Sequence, residues 1–321
     1  MPATQIESNP SQAQSSSRLQ RFLNCYWLRP ENAFWMSLRS QALESHPIKG
    51  PSIDLSCGDG VFSFLHAGGD FSSEYDVFME VGNLDEVRDA FADMFDHTNV
   101  GYEPMVTLRP DRKFEVGTDL KPNMLLKACR LDFYECLVEH DHNHVMPFEN
   151  GAFQTVHCNS AYWVQNIDQF MSELRRITRK DGRILLSVKL DSMRDYTLNA
   201  HRDKFGQRWL DIIGRGRIES WPSLTNDETW KQRFKAANLD IVSRTPFITA
   251  THAHIWDVGL RPIAPLLVRM ANALDEHTRQ EIKSDWIDLL SELLQPIHNA
   301  NFNIAPHKQE PAEILYELTP A

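Results

Sequence analysis

The apolar run Ile53-Asp54-Leu55 breaks at Ser56-Cys57-Gly58-Asp59-Gly60 and gives way to Val61-Phe62, which can open a helix. A strand, a tight Gly-x-Gly turn and a helix N-terminus in that order make a site for a nucleoside. The glycines let the backbone approach a ligand without a Cβ clash, and the helix start offers free N–H groups. Short glycine turns also serve as plain connectors, so the residues farther along the chain carry the reading. Asp119 ends the run Gly117-Thr118-Asp119. A carboxylate at the carboxyl end of the second strand can accept hydrogen bonds from both hydroxyls of a ribose. An aspartate there can equally cap the next helix; the turn upstream favours the ribose role. Glu80 lies nearer the usual distance from the turn but ranks second, because Val81-Gly82-Asn83 reads as the start of an insertion. His140, His142 and His144 project to one face if their segment is extended, and neutral imidazole is a common metal ligand. No carboxylate or cysteine spacing completes a known site, so no metal is assigned.

These residues need a framework to hold them. The chain has 321 residues, 42% of them apolar, and eight tryptophans, enough for a sizeable core. Its net charge of −11, from 33 basic and 44 acidic residues, argues against broad nucleic-acid binding. Five cysteines without Cys-x-x-Cys spacing read as free thiols in a reducing cytoplasm. Residues 1–18 read as a disordered leader without a signal-peptide core, and no apolar run is long enough for stable membrane insertion.

Two short helices are expected in 19–43, then a strand at Ser52–Leu55 and a helix from Val61. Residues 68–113 are too long for an ordinary crossover and read as an insertion placed to act as a lid, with an acidic amphipathic stretch at 84–95. Further strands are expected at Phe114–Asp119, 135–139, 155–158, 183–189 and 240–243, with helices at 167–178 and 227–237 between them. This alternation predicts a Rossmann-like α/β fold: a doubly wound, mostly parallel sheet with N-terminal helices. The core is expected over 19–250 and a helical C-terminal extension over 251–321. That extension reads as a cap rather than a membrane-surface helix, since its charge is mixed.

From about Pro51 to Ile248 the chain resembles the class I S-adenosylmethionine-dependent methyltransferases. Their first motif, an aspartate, an aliphatic residue and Gly-x-Gly-x-Gly, is matched by Asp54, Cys57, Gly58 and Gly60. Ser56 stands where the family has its first glycine, and a serine follows the turn if its φ is negative. The family's Gly-x-Asp is matched by Asp119, followed by Leu120. Asp141 ahead of Met146-Pro147-Phe148 matches the aspartate that holds the adenine amino group, with His142 placed to stack beside adenine. Asn159 and Ser160 match the loop where methyl donor and acceptor meet, and Tyr162 and Trp163 would supply aromatic walls there. Lys180-Asp181-Gly182-Arg183 resembles the family's Lys-Pro-Gly-Gly, and Ala237-Asn238-Leu239 its Ala-Gly-Phe.

The resemblance implies S-adenosyl-L-methionine as cofactor and in-line methyl transfer to a small-molecule or lipid-like acceptor. A protein acceptor and an inactive, methyltransferase-like scaffold are the alternatives. A nicotinamide oxidoreductase would need a third glycine where Val61-Phe62-Ser63 stands. His157, His142, His201 and His252 are all candidates for a general base, and the sequence chooses none. Oligomeric state is not legible from these residues.

Overall fold

The computed structural model describes residues 17–78, 102–214, 221–299 and 309–321. The expected leader therefore lies outside the described residues but for its last two. Ser17 caps helix α1 (Arg18–Tyr26) in a reciprocal capping box with Gln20. Helix α2 (Pro30–Leu43) starts with proline in its first turn, where the missing N–H costs nothing.

Among the described residues nine strands form. Seven make one sheet: β1 (Ser52–Leu55), β4 (Phe114–Asp119), β5 (Tyr134–Glu139), β6 (Phe153–Cys158), β7 (Thr178–Lys189), β8 (Leu239–Ile248) and β9 (Glu313–Pro320). Their spatial order is β5-β4-β1-β6-β7-β9-β8. The first five in that order pair in parallel, and β9 runs antiparallel to both β7 and β8. This is the doubly wound, mostly parallel α/β sheet that the alternation predicts. All four residues of β1 are buried, as a strand covered on both faces requires.

Apolar cores lie on both faces. On one, α1, α2 and α3 (Val61–His66) pack with the long helix Glu276–His298, burying Phe22, Phe34, Phe64 and Leu290. On the other, helix Ile167–Ile177 and helix Asp227–Ala236 bury Phe170, Leu174, Trp230 and Phe234.

One expectation changes. Residues 251–321 are not helical throughout. Helical segments run from Ala250 to His298, but β9 enters the sheet between β7 and β8, so the last residues of the chain complete the core. The described parts of the 68–113 insertion form a short ribbon, β2 (Asp70–Phe71) against β3 (Val106–Leu108). They dock on α1 and the C-terminal helix: the Lys283 ammonium donates to the carbonyls of Ser73 and Tyr75 at 2.6 Å each, and the Trp27 indole N–H donates to Asp76. The acidic stretch 84–95 and Glu80 lie outside the described residues. Among the described residues no helix is long and apolar enough to cross a membrane, and all five cysteines are free.

Candidate functional site

β1 has β4 on one side and β6 on the other, so the chain's direction of winding reverses beside it. In open α/β sheets that switch point, at the carboxyl ends of the strands, is where ligands sit. The turn after β1 is pinned by two backbone bonds: Cys57 N–H to the Thr118 carbonyl (2.8 Å) and Gly60 N–H to the Cys57 carbonyl (3.1 Å). Closing it requires left-handed backbone at Ser56 (φ 55°), Gly58 (φ 61°) and Gly60 (φ 80°). The expectation of a negative φ at Ser56 is thus corrected. Serine is held where only glycine sits without strain. Gly60 is fixed by packing as well, since a Cβ would meet the Tyr134 ring at 2.9 Å. A Cβ on Gly58 would meet nothing within 4 Å, so this backbone faces open space.

Asp54 braces the turn from below. Its buried carboxylate accepts from Ser63 Oγ (2.6 Å) and Tyr134 Oη (2.8 Å) and pairs with His157 Nδ1 (2.8 Å). It ties β1 to α3, β5 and β6 beneath the turn. Asp119 does reach the turn: Oδ2 accepts the Gly58 N–H (3.0 Å) and Oδ1 the Lys121 N–H (2.9 Å). Burial raises its pKa against the pull of those two N–H groups. It is not the cap of the following helix, whose N-cap is Lys121. Leu120 beside it is exposed.

The three histidines do not share a face. The His144 N–H bonds to the Asp141 carbonyl (3.0 Å), so the segment turns. His144 is exposed, while His142 is buried beside Phe170 and Thr118. Burial lowers the His142 pKa to about 4, and its Nδ1 has no hydrogen-bond partner. Asp141 holds the Asn143 N–H and side-chain amide with one oxygen (2.9 and 2.8 Å), and these bonds lower its pKa. No group of His, Cys, Asp and Glu able to hold a metal occurs among the described residues.

A cavity of about 300 Å³ opens at the turn. Asp54, Ser56, Cys57, Gly58, Asn159 and Ser160 line it; Gly60, Asp119, Leu120, Asp141 and His142 do not. Asn159 is held in place by the Ser187 hydroxyl, which donates to its Oδ1 (3.1 Å). Tyr162 is a wall of the cavity, but Trp163 is neither wall nor core: it is half exposed, with its ring tilted against that of Tyr162. None of the four candidate histidine bases lines the cavity. His157 is committed to Asp54 and His142 faces Thr118. The buried His252 takes part in the capping box of helix Ala250–His254, and the His201 ring lies beside Phe205. A larger cavity, about 420 Å³, lies among His46, Ile48, Arg112 and Lys113, which precede β1 and β4. It is at the amino ends of the strands, away from the switch point.

The sequence reading missed the far wall of the 300 Å³ cavity. Trp35 and Arg39 project from one face of α2, Lys189 ends β7, and Trp221 and Trp256 close the side opposite the turn. Behind them Glu313, the first residue of β9, accepts from Arg39 (2.6 Å), Lys189 (2.9 Å) and the Trp35 indole N–H (2.8 Å). The i, i+4 pair on α2 was the one available signal.

No curated protein matches the sequence. Among solved structures it is similar to a Thermotoga maritima S-adenosylmethionine-dependent methyltransferase described as a possible histamine N-methyltransferase. The two share 11% identity over 95% of this chain and 98% of that one, with a TM-score of 0.45. It is also similar to geranyl diphosphate C-methyltransferase of Streptomyces coelicolor, solved with Mg²⁺, geranyl diphosphate and S-adenosyl-L-homocysteine. There the identity is 11% over 91% of this chain and 84% of that one, with a TM-score of 0.43. A family model described as a methyltransferase domain matches residues 19–244, well over half of the chain. The chain belongs to the methyltransferase-domain family and is an S-adenosylmethionine-dependent methyltransferase.

Proposed function

We propose that the enzyme methylates a small molecule held in the 300 Å³ cavity, with the cofactor lying along the turn from Ser56 to Gly60. The observation that carries this reading is the meeting of two surfaces there. Backbone at Gly58 faces open space, and across the cavity stand Trp35, Tyr162, Trp221 and Trp256. The residues present fit the cofactor. The Asp119 carboxylate is fixed by two backbone N–H groups, and its remaining lone pairs suit two ribose hydroxyls. Asp141 and the unpartnered Nδ1 of His142 lie at the end of the neighbouring strand, beyond the cavity lining. They suit the adenine end.

When bound, S-adenosylmethionine supplies a methyl group already activated on a sulfonium. The protein's task is alignment and exclusion of water. Asn159, braced by Ser187, and Ser160 form the edge between the two halves of the site, and the aromatic walls suit a sulfonium cation. An aromatic-walled, open cleft of this size suits a small organic acceptor.

Calorimetric titration tests the reading. The wild type should bind S-adenosylmethionine and S-adenosylhomocysteine, and Asp119→Ala should weaken both by on the order of 2–4 kcal/mol. Unchanged affinity in a folded Asp119→Ala protein would move the ribose elsewhere. Methyl uptake into protein rather than into small molecules, on adding a cell extract, would replace the acceptor class.

A further inference from the structure

We infer that the cavity of about 420 Å³ at the amino ends of the strands is a second binding site, and that its ligand is a small molecule carrying a phosphate monoester. It shares only Ser63 with the 300 Å³ cavity. Three observations converge on it. The first is charge. Arg18, Arg21, Arg112 and Lys113 line this cavity against a single carboxylate, Glu44. The chain as a whole has 44 acidic and 33 basic residues, so a basic cavity runs against its composition. Carboxylates behind the lining do not cancel the charge. Asp132 is shared between Lys113 (2.7 Å) and Arg109 (3.9 Å), and Glu317 between His46 (3.3 Å) and Arg183 (3.5 Å). Glu115 spends one oxygen on the Ser52 N–H and hydroxyl. With these included, six Lys and Arg side chains face four carboxylates.

The second observation is the set of donors still unspent. Arg39, Arg261 and Arg279 each meet a carboxylate. Arg21 and Arg112 meet only backbone: Arg21 donates to the Gly69 carbonyl at 3.5 Å and Arg112 to the Ile48 carbonyl at 3.0 Å. A guanidinium has five N–H donors, so both keep most of theirs for a ligand. Arg18 does pair with Glu44 (2.8 Å), but the Glu44 side chain is 68% exposed, and such a surface pair is worth little. Behind His46, the Nε and Nη2 atoms of Arg183 are buried with no hydrogen-bond partner.

The third is the way these groups are placed. Arg18 and Arg21 stand three residues apart on α1 and share a face. Arg112 and Lys113 precede β4, and His66 ends α3. Burial first, and the His157, Arg18 and Arg21 charges after it, lower the His66 pKa to about 4 against the pull of Asp54, so the ring is neutral. Its Nδ1 lies 3.0 Å from the Ser40 hydroxyl, which leaves Nε2 for a ligand. Donors brought from three elements suit the tetrahedral oxygens of a phosphate better than one planar carboxylate. Leu43, Ile48, Phe114 and Phe133 line the rest of the cavity and offer apolar surface to the body of the ligand. The net charge of −11 repels a long polyanion, so a single phosphate group on a small molecule is the better match.

Titration calorimetry tests this on the full chain, at constant chloride and about pH 8, where a phosphate monoester is a dianion. The probes are phenyl phosphate, phenyl sulfate (the same shape with one charge fewer) and succinate (a dianion with planar groups). Phenyl phosphate should bind at one site, about tenfold or more tighter than either of the others. Arg21→Gln and Arg112→Gln should each weaken it by about tenfold or more. Lys235→Gln, an exposed site on helix Asp227–Ala236 outside the cavity, should leave it unchanged. Saturating S-adenosylhomocysteine should also leave it unchanged.

Equal binding of the three probes, or no binding of phenyl phosphate, overturns the inference. So does a folded Arg112→Gln protein with wild-type affinity; Arg112 is exposed and precedes β4, so this variant decides the matter even if Arg21→Gln does not fold. Displacement of phenyl phosphate by S-adenosylhomocysteine would put the phosphate in the other cavity. A mixed-sequence RNA that binds tighter than phenyl phosphate, and loses affinity in Arg112→Gln, would make this a nucleic-acid face and overturn the small-molecule reading.

Discussion

Replacing Glu313 with glutamine probes how the cavity wall formed by Trp35, Arg39 and Lys189 is built. The side chain is fully buried, and its partners Arg39 and Lys189 have side chains only 10% and 4% exposed. Glutamine keeps the shape and can still accept the Trp35 N–H, but it leaves two buried cations without their shared carboxylate. Removing one member of a buried ion cluster costs about 3–5 kcal/mol, a large part of a typical domain's stability of roughly 5–15 kcal/mol. The double variant Glu313→Gln, Lys189→Met returns the trio to its original net charge. It should be more stable than Glu313→Gln alone, with a coupling on the order of 1–3 kcal/mol. Urea unfolding followed by tryptophan fluorescence is the assay, since Trp35 and Trp221 pack directly on the cluster. The comparison requires equal m-values. A Glu313→Gln protein within about 1 kcal/mol of wild type, or a double variant no more stable than the sum of the singles, would refute the account. The linkage has a definite sign. Because the folded-state pKa of Glu313 is depressed, its contribution is present above the ordinary carboxylate pKa and is lost as pH falls through the lower folded value.

Other parts of the molecule respond to substitution and pH in their own ways. Ser56→Gly should relieve the left-handed backbone and raise stability by roughly 0.5–1 kcal/mol after glycine's own entropy cost; a loss of stability at unchanged m-value would show that the serine side chain matters more than its φ. Asp54→Ala should cost about 3–5 kcal/mol, because Tyr134 and His157 lose their acceptor while buried; a cost below about 1 kcal/mol would mean the brace is dispensable. His142 and His252 are held neutral by burial, with pKa values of about 4. The unfolded chain takes up protons from about pH 6.5 downward while these sites do not, so stability should fall from there to about pH 4 and then level off, by up to about 3 kcal/mol per site. Unfolding midpoints across that range check it, and His252→Phe should flatten the slope.

The parts of this protein legible in its sequence are those whose geometry is settled locally. β1 and β4 are found at their true bounds because a glycine turn follows one and a Lys-Pro step the other. Ser56 defeats local reading because its φ is imposed by closure of the turn onto Thr118 rather than by serine's preference. The histidines at 140, 142 and 144 share a face only on an extended chain, and the bond from His144 to Asp141 removes that condition. β9 escapes because it is a strand by virtue of two partners far away in sequence, bonded along its length to β7 and β8. That distance also hides the far wall of the cavity. Lys189 and Glu313 are 124 residues apart and meet only once the last strand has entered the sheet. The turn after β1 and the loop after β4 are short segments at strand ends, each spelled out in one place in the sequence. The opposite wall of the cavity is gathered from α2, the end of β7 and two distant tryptophans, with the start of β9 behind it. A sequence therefore reveals which group is transferred long before it reveals what receives it, because the first is written in short local segments and the second in residues that only folding brings together.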